Sequence, residues 1–104
     1  MQVDQLKGKC ELSLNNCNFN IKYSEKIEHD VKIDGEASSI EINILKNQEG
    51  NFYFESNNYI NLESKKVFKE EDIKVVEDNK VIEKKIGKGP EIKVSVKGGN
   101  FRIK

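Results

Sequence analysis

Few residues in this sequence are suited to redox or metal chemistry: two cysteines, Cys10 and Cys17, and one histidine, His29. Both cysteines follow the alternation of the neighbouring apolar residues, so we expect buried free thiols that act as small hydrophobic side chains. If the chain turns back at 15–16, the sulfurs lie about four residues apart at roughly 3.3 Å per residue, too far for a disulfide. A tetrahedral zinc ion needs four ligands, so we predict no metal site.

His29 and the acidic residues are the candidates for acid–base catalysis. A catalytic histidine needs a positioned partner, and Asp30 points to the opposite face if this segment is a strand. The densest acidic run, 70–72, lies among lysines, as on a solvated surface. Glycosidase-like chemistry needs two carboxyl groups held across a cleft, and no pattern in the sequence builds one. Only the analogy with parallel β-helices, some of which are carbohydrate-active enzymes, would suggest such chemistry here. We therefore predict an exposed His29, no catalytic residue, no cofactor and no enzymatic activity.

Aromatic side chains are candidates for stacking on a sugar or a base. Most phenylalanines share the parity of the aliphatic residues, as Phe52 and Phe54 do, so we expect them to form a ladder in the core. Tyr53 has the opposite parity and should be exposed. Tyr53, Tyr59 and Arg102 are the candidate residues for contact with a ligand or partner at the surface.

Charge and hydropathy restrict the partners and the compartment. The formal net charge is zero, with 18 basic and 18 acidic residues. Binding to nucleic acid through phosphate contacts requires a basic face, so we expect no nucleic-acid partner. No apolar run is long enough to span a bilayer, and MQVDQLKGKCELS lacks the apolar core of a signal peptide. We expect a cytoplasmic protein or a soluble piece of an envelope protein.

The apolar composition predicts an all-β fold in one domain, 1–104. Ile occurs 12 times and Val 8 times, against 5 Leu and a single Ala. Such β-branched side chains fit a pleated surface. Apolar and polar residues alternate along most of the chain, most regularly at 40–44, as in half-buried strands. The segment 63–80 is charge-rich and irregular, with strands predicted at about 73–77 and 80–85 around a turn.

The sequence contains an internal repeat. CELSLNNCNFNIK (10–22) aligns without a gap on IKVSVKGGNFRIK (92–104), and both carry Asn-Phe directly after an Asn-rich or Gly-rich turn. A third copy at 40–55, IEINILKNQEGNFYFE, fits with three extra loop residues. Each copy reads as a strand, a turn and a second strand, so the repeat predicts how the chain folds and carries no evidence of an active site.

The end of the sequence resembles the repeats of bacterial adhesin-like domains of the toast-rack-like family. Those repeats contain a Gly-x-Gly step, an alternating strand, a Gly turn and a strand ending in Ile, as at 87–103 here. GEASSIEINI (35–44) is similar to the strand entry of that family, and the resemblance covers roughly 35–62 and 81–104. It implies a β-solenoid-like stack of short strands, a single-stranded β-helix, and offers no catalytic residues.

An antiparallel two-sheet β-sandwich is the alternative fold. Hairpins at 15–16, 45–50, 77–80 and 98–99 would build it, because Asn-Asn and Gly-Gly suit two-residue hairpin loops. In the solenoid-like fold, each repeat buries its apolar face only against its neighbours. The last strand, which ends at Ile103, would then form an open edge for self-association.

Two functions fit these predictions. The first is a non-enzymatic bacterial β-repeat module that acts as a binding or scaffold domain associated with the cell envelope. The second is a cytoplasmic regulatory or assembly domain that binds a protein partner, or a second copy of itself, through sheet edges.

Overall fold

The computed structural model is all-β in the part that it describes, which confirms the predicted fold class. It describes residues 2–3, 10–23, 25–58, 60–62 and 68–104. The strands are β1 (Gln2–Val3), β2 (Cys10–Asn15), β3 (Asn18–Lys22), β4 (Val31–Glu36), β5 (Ser39–Asn43), β6 (Gly50–Ser56), β7 (Ile60–Leu62), β8 (Ile73–Val76), β9 (Asn79–Ile86), β10 (Glu91–Lys97) and β11 (Phe101–Ile103). A turn of 3₁₀ helix at Glu70–Asp72 precedes β8.

The strands form two sheets that enclose the core between them. The five-stranded sheet has the order β1-β3-β5-β11-β7, and every neighbouring pair in it is parallel. The six-stranded sheet has the order β2-β4-β10-β6-β9-β8, with β9 and β8 antiparallel to their neighbours. Four strand pairs, β2–β3, β4–β5, β6–β7 and β10–β11, each contribute one strand to either sheet. These strand pairs stack side by side in parallel.

The registers place residues 10–22 and 92–104 at equivalent positions. Cys10 and Ile92 flank Val31 in the six-stranded sheet, while Phe19 and Phe101 flank Ile40 in the five-stranded sheet. The segment 31–43 is therefore a further gapless copy, which sequence analysis missed.

The predicted middle copy, 40–55, is out of phase with the other two. Ile40 lies beside Phe101, in the five-stranded sheet, and Phe52 lies beside Ile92, in the six-stranded sheet. The proposed copy therefore joined the second strand of one strand pair to the first strand of the next. Because apolar residues alternate in the strands of both sheets that form these strand pairs, the pattern fits either phase.

The order of the stack differs from the order of the sequence. The strand pair β10–β11 lies between β4–β5 and β6–β7, so the last strands of the chain are interior strands of both sheets. Ile103 has Ile42 on one side and Leu62 on the other. The expectation that the strand ending at Ile103 forms an open edge is therefore wrong.

Three of the four predicted hairpins are absent from their positions. The connections at 15–16, 45–50 and 98–99 each join strands of different sheets, so they turn a corner instead of reversing the chain within one sheet. The hairpin at 77–80 is present as β8–β9, with Val76 opposite Asn79. The strands predicted at about 73–77 and 80–85 are thus confirmed within two residues.

Alternating residues of both sheets fill the core, as the period-2 pattern predicts. Phe68 lies just before the 3₁₀ turn and packs edge-on against Phe52 and Phe54, with ring centroids 5.0 and 5.2 Å away. Phe54 makes a further edge contact with Phe101 at 5.4 Å. Such perpendicular ring pairs are favourable because a positive ring edge meets a negative face. Phe68 thereby covers the core next to β6.

Candidate functional site

The predicted surface residues do not form one site. Tyr53 is half-buried on the outer face of the six-stranded sheet, and Arg102 lies on the outer face of the five-stranded sheet. Tyr59 is outside the described residues. The parity of Tyr53 predicts its outer face correctly, but the assignment of Tyr53 and Arg102 to different sheets depends on strand pairing that no local pattern in the sequence indicates.

Tyr53 lies in a groove of about 470 Å³ that is also lined by Glu83, Lys85 and Lys93. The Nζ of Lys93 is 5.4 Å from the centre of the tyrosine ring, within cation–π distance. The Tyr53 hydroxyl donates a hydrogen bond to Oε2 of Glu55 at 3.0 Å, and this bond raises the pKa of the phenol. The ring is therefore engaged by Lys93 of the neighbouring strand β10, and the hydroxyl by Glu55 of the same strand, β6.

Arg102 belongs to a polar row across the five-stranded sheet. Asn20, Glu41, Arg102 and Asn61 lie next to one another in register. Oε1 of Glu41 is 3.5 Å from Nη1 of Arg102 and 3.4 Å from Nζ of Lys104. Exposed ion pairs of this kind contribute little stability, so the row is a hydrophilic face whose charges are paired with one another.

His29 is exposed, as predicted, in the bend before β4. It lines a groove of about 620 Å³ together with Glu28, Asp30 and Glu49. Two of these carboxylates hold backbone groups: Oδ1 of Asp30 accepts the N–H of Glu91 at 2.9 Å, and Oε2 of Glu49 accepts the Lys88 N–H at 3.2 Å. The groove thus brings a histidine near several acids, but Asp30 and Glu49 anchor the segment that leads into β10.

Gln48 is a structural residue that sequence analysis missed. Its side chain is buried, its Oε1 accepts the N–H of Ile27 at 2.7 Å, and its Nε2 donates to the Ile27 carbonyl at 3.1 Å. Nε2 also donates to the carbonyl of Glu49 at 2.7 Å. The amide therefore acts like one residue of a neighbouring strand, because it satisfies both backbone groups of Ile27. Only the tertiary structure brings these residues together.

Cys10 and Cys17 are both free thiols and half-buried. Burial raises the pKa of the Cys10 thiol, so Cys10 is mostly protonated at neutral pH. Within the described ranges, no cluster of three or more His, Cys, Asp or Glu side chains is arranged to hold a metal ion.

The clearest exposed apolar feature is the edge strand β8, which sequence analysis did not identify as a surface. Val75 and Val76 are 66% and 52% exposed. Among the described strands, β8 pairs with β9 alone, so its other backbone edge is open. We call this strand and its open edge the β8 edge.

The start of the β8 edge is fixed by Asp72. Its Oδ2 accepts the N–H of Lys69 at 2.9 Å and a hydrogen bond from Nζ of Lys84 at 3.2 Å. The Lys69 N–H is the larger cause of a lowered Asp72 pKa; Lys84 adds to the effect, and partial burial opposes it. Ile73, the next residue, lies opposite Ile82 and packs against the core. The strand is therefore ordered up to the exposed valines.

Within the described parts of the chain, no helix has the length and hydropathy needed to cross a membrane. Comparisons with protein-family models, curated proteins and solved structures found no match to this chain. Its function must therefore be inferred from its own residues.

Proposed function

We propose that this chain is a non-enzymatic β-repeat binding module that recognises an extended segment of a protein partner along the β8 edge. The observation that carries this proposal is the exposure of Val75 and Val76 on a strand whose outer backbone edge is paired with no other described strand. An exposed apolar edge strand favours pairing with another chain, and natural proteins usually protect such edges with charges, proline or a covering segment.

The registers define the chemistry that the β8 edge offers. Ile73 and Val75 lie on the inner face of the sheet, since Ile73 is opposite the buried Ile82. Lys74 and Val76 lie on the outer face. An added strand would bond to the backbone of β8 and place its side chains alternately beside these two sets.

The partner that fits this edge is an extended peptide with apolar residues beside the two valines and an acidic residue beside Lys74. Cross-strand apolar pairs and opposite-charge pairs each contribute a few tenths to about 1 kcal/mol, so affinity would come from several such contacts together with backbone hydrogen bonds.

We further propose a solenoid-like description of the fold, in which the strand pairs form a rigid stack that presents the β8 edge. The parallel stacking of four strand pairs supports it. Two sheets facing one another, with antiparallel β8 and β9 at one side, support the sandwich-like alternative. Either description gives a scaffold with few movable parts, because most core residues are fully buried between the sheets.

The non-enzymatic assignment is supported by the structural use of the acids near His29, where Asp30 and Glu49 accept backbone N–H groups. We propose association with the cell envelope, following the resemblance to toast-rack-like domains. A cytoplasmic regulatory or assembly domain that binds a protein through the same edge is the second candidate, and the exposed valines of β8 support it equally.

A displayed library of random octapeptides tests the binding proposal. We expect the purified protein to enrich peptides in which an acidic residue is followed or preceded by two consecutive apolar residues, matching Lys74, Val75 and Val76. Replacing both valines with threonine, which retains β-propensity, should weaken the enriched peptides at least tenfold in fluorescence polarisation. Lys74→Glu should shift the preference from acidic to basic peptides, which a loss of folding would not do.

Lys46→Glu is the matched control, because Lys46 is an exposed lysine away from β8. It should leave peptide affinity unchanged. The proposal is wrong if no peptide class is enriched, or if the enriched peptides bind the Val75→Thr/Val76→Thr variant as tightly as the unaltered protein.

A further inference from the structure

The strand pair β10–β11 occupies a slot between two parts of the same chain. On one side of it lie β4 and β5, and on the other side lie β6 and β7. Residues 92–96 of β10 are paired with both β4 and β6, and Phe101–Ile103 of β11 are paired with both β5 and β7. Removing this strand pair would therefore open four strand edges at once.

The slot is apolar inside as well as lined by backbone edges. Ile92, Val94 and Val96 are completely buried, and Phe101 and Ile103 are at most 4% exposed. A segment entering the slot thus gains hydrogen bonds on both sides and buries five large apolar side chains. Few unrelated peptides would match this pattern of buried side chains and paired edges, whereas the β10–β11 segment of a second copy of this chain matches it.

The segment that leads into the slot is short, and two hydrogen bonds hold it to residues 49–51: Lys88 N–H donates to Glu49, and Asn51 N–H donates to the Pro90 carbonyl. Gly87, Lys88, Gly89 and Pro90 connect β9 to β10. Gly87 has a φ of 58°, a left-handed conformation that costs free energy for any residue with a side chain. The hydrogen bond from Lys88 N–H to Glu49 holds this segment in its bent form. Straightening these four residues would let β10–β11 leave the slot, while the remaining strands keep their pairings with one another.

We propose that β10–β11 is a strand donor that two copies of this chain exchange, each filling the central slot of the other. Every contact within the slot is the same in the exchanged dimer and in the monomer, so the hinge and the protein concentration decide between the two forms. This proposal is independent of the β8 edge, which stays outside the exchanged segment.

Site-specific crosslinking tests the exchange in the full-length chain. Ser95 of β10 lies beside Asp34 of β4, and Ser13 of β2 lies beside Asp34 on its other side. In a background with Cys10→Ser and Cys17→Ser, one chain carries Asp34→Cys and a second chain carries Ser95→Cys. The two are unfolded together in urea, refolded at high concentration and treated with a short bismaleimide.

We expect a covalent heterodimer from this mixture and at least tenfold less from the matched mixture of Asp34→Cys with Ser13→Cys. Ser13 and Asp34 are also neighbours, but both belong to the part of the chain that is not exchanged, so in the dimer they meet only within one chain. Equal crosslinking in the two mixtures would overturn the proposal, because it would show contact by collision or by edge pairing.

A hinge variant provides a second measurement. A Cβ on Gly87 would meet the side chain of Glu49, and its φ is unfavourable for alanine. Gly87→Ala should therefore strain the closed hinge and raise the dimer fraction in light scattering after refolding. A Gly87→Ala chain that refolds wholly as a monomer at the highest accessible concentration contradicts strand exchange through this hinge.

Discussion

At the scale of single residues, two buried polar groups behave in opposite ways. The Gln48 amide is bonded to the backbone of Ile27 and Glu49, so its burial is compensated. The Tyr23 side chain is only 2% exposed, and its hydroxyl has no hydrogen-bond partner among the described residues. A buried hydroxyl without a partner costs free energy, whereas the ring contributes to the core.

Tyr23→Phe should leave the free energy of unfolding at neutral pH unchanged or raise it by up to about 1 kcal/mol, because it removes the buried hydroxyl. Burial first, and the nearby Cys10 thiolate second, raise the pKa of Tyr23 to about 12 from the model-peptide value of 10.0. The neutral phenol is thus favoured in the folded state. The contribution of the neutral Tyr23 phenol to the free energy of unfolding is present in full below pH 10 and is lost as the pH rises towards 12.

Urea unfolding between pH 8 and pH 12 measures this effect. The unaltered protein should lose roughly 2 kcal/mol more than Tyr23→Phe across the alkaline range, at about 1.4 kcal/mol per pKa unit. Parallel pH profiles for the two proteins would show that Tyr23 ionises as freely in the folded chain as in the unfolded one.

At the scale of the elements, the corners between the sheets are built alike. Asn16, Ala37 and Gly98 occupy equivalent places in three strand pairs, and all have positive φ, at 54°, 51° and 68°. Ser38 Oγ joins two of these corners, since it accepts the N–H of Cys17 and donates to the carbonyl of Glu36. Glycine adopts this conformation without strain, and asparagine tolerates it, but alanine does not.

Ala37→Gly should raise the free energy of unfolding by about 1 kcal/mol. Relief of the left-handed conformation gains about 1–3 kcal/mol, and the greater freedom of glycine in the unfolded chain offsets about 0.5–1 kcal/mol. Ala37 is exposed, so little packing is lost. Chemical denaturation measures the change.

Ser39→Gly is the control for Ala37→Gly, because Ser39 lies in β5, where the backbone is extended. It should lower stability by about 0.5–1 kcal/mol. If both substitutions destabilise the protein equally, the conformation at Ala37 carries no strain.

The sequence was sufficient to predict the strands and insufficient to predict their connections. Alternation located the inward residues correctly, as at Phe52 and Phe54 around Tyr53. Asn15-Asn16 and Gly98-Gly99 are typical of hairpin loops because these residues tolerate positive φ, but a corner between sheets requires the same property. The exposure of Val75 and Val76 depends on which strand lies at the sheet edge, and that is set by long-range pairing.

At the scale of the whole molecule, stability should be greatest at the centre of the stack. The last strand pair, β10–β11, has a neighbour on each side in both sheets, whereas β2 has β4 alone among the described strands. The inward residues reflect this difference. Ile92 of β10 is completely buried, while Leu12 and Leu14 of β2 are half-buried. The two halves of the molecule are thus joined through the last strand pair of the chain, β10–β11.

Ile92→Ala should lower the free energy of unfolding by about 3 kcal/mol, because it leaves a cavity that both neighbouring strand pairs line. Leu12→Ala should cost only about 1 kcal/mol, since a half-buried side chain loses less apolar contact with the protein. Urea unfolding monitored by circular dichroism and by tyrosine fluorescence gives both values. Ile92→Val, expected to cost about 1 kcal/mol, controls for the size of the deletion. Equal losses for Ile92→Ala and Leu12→Ala would mean that β2 is as fully enclosed as the central strand, and the stack would then have no weaker end.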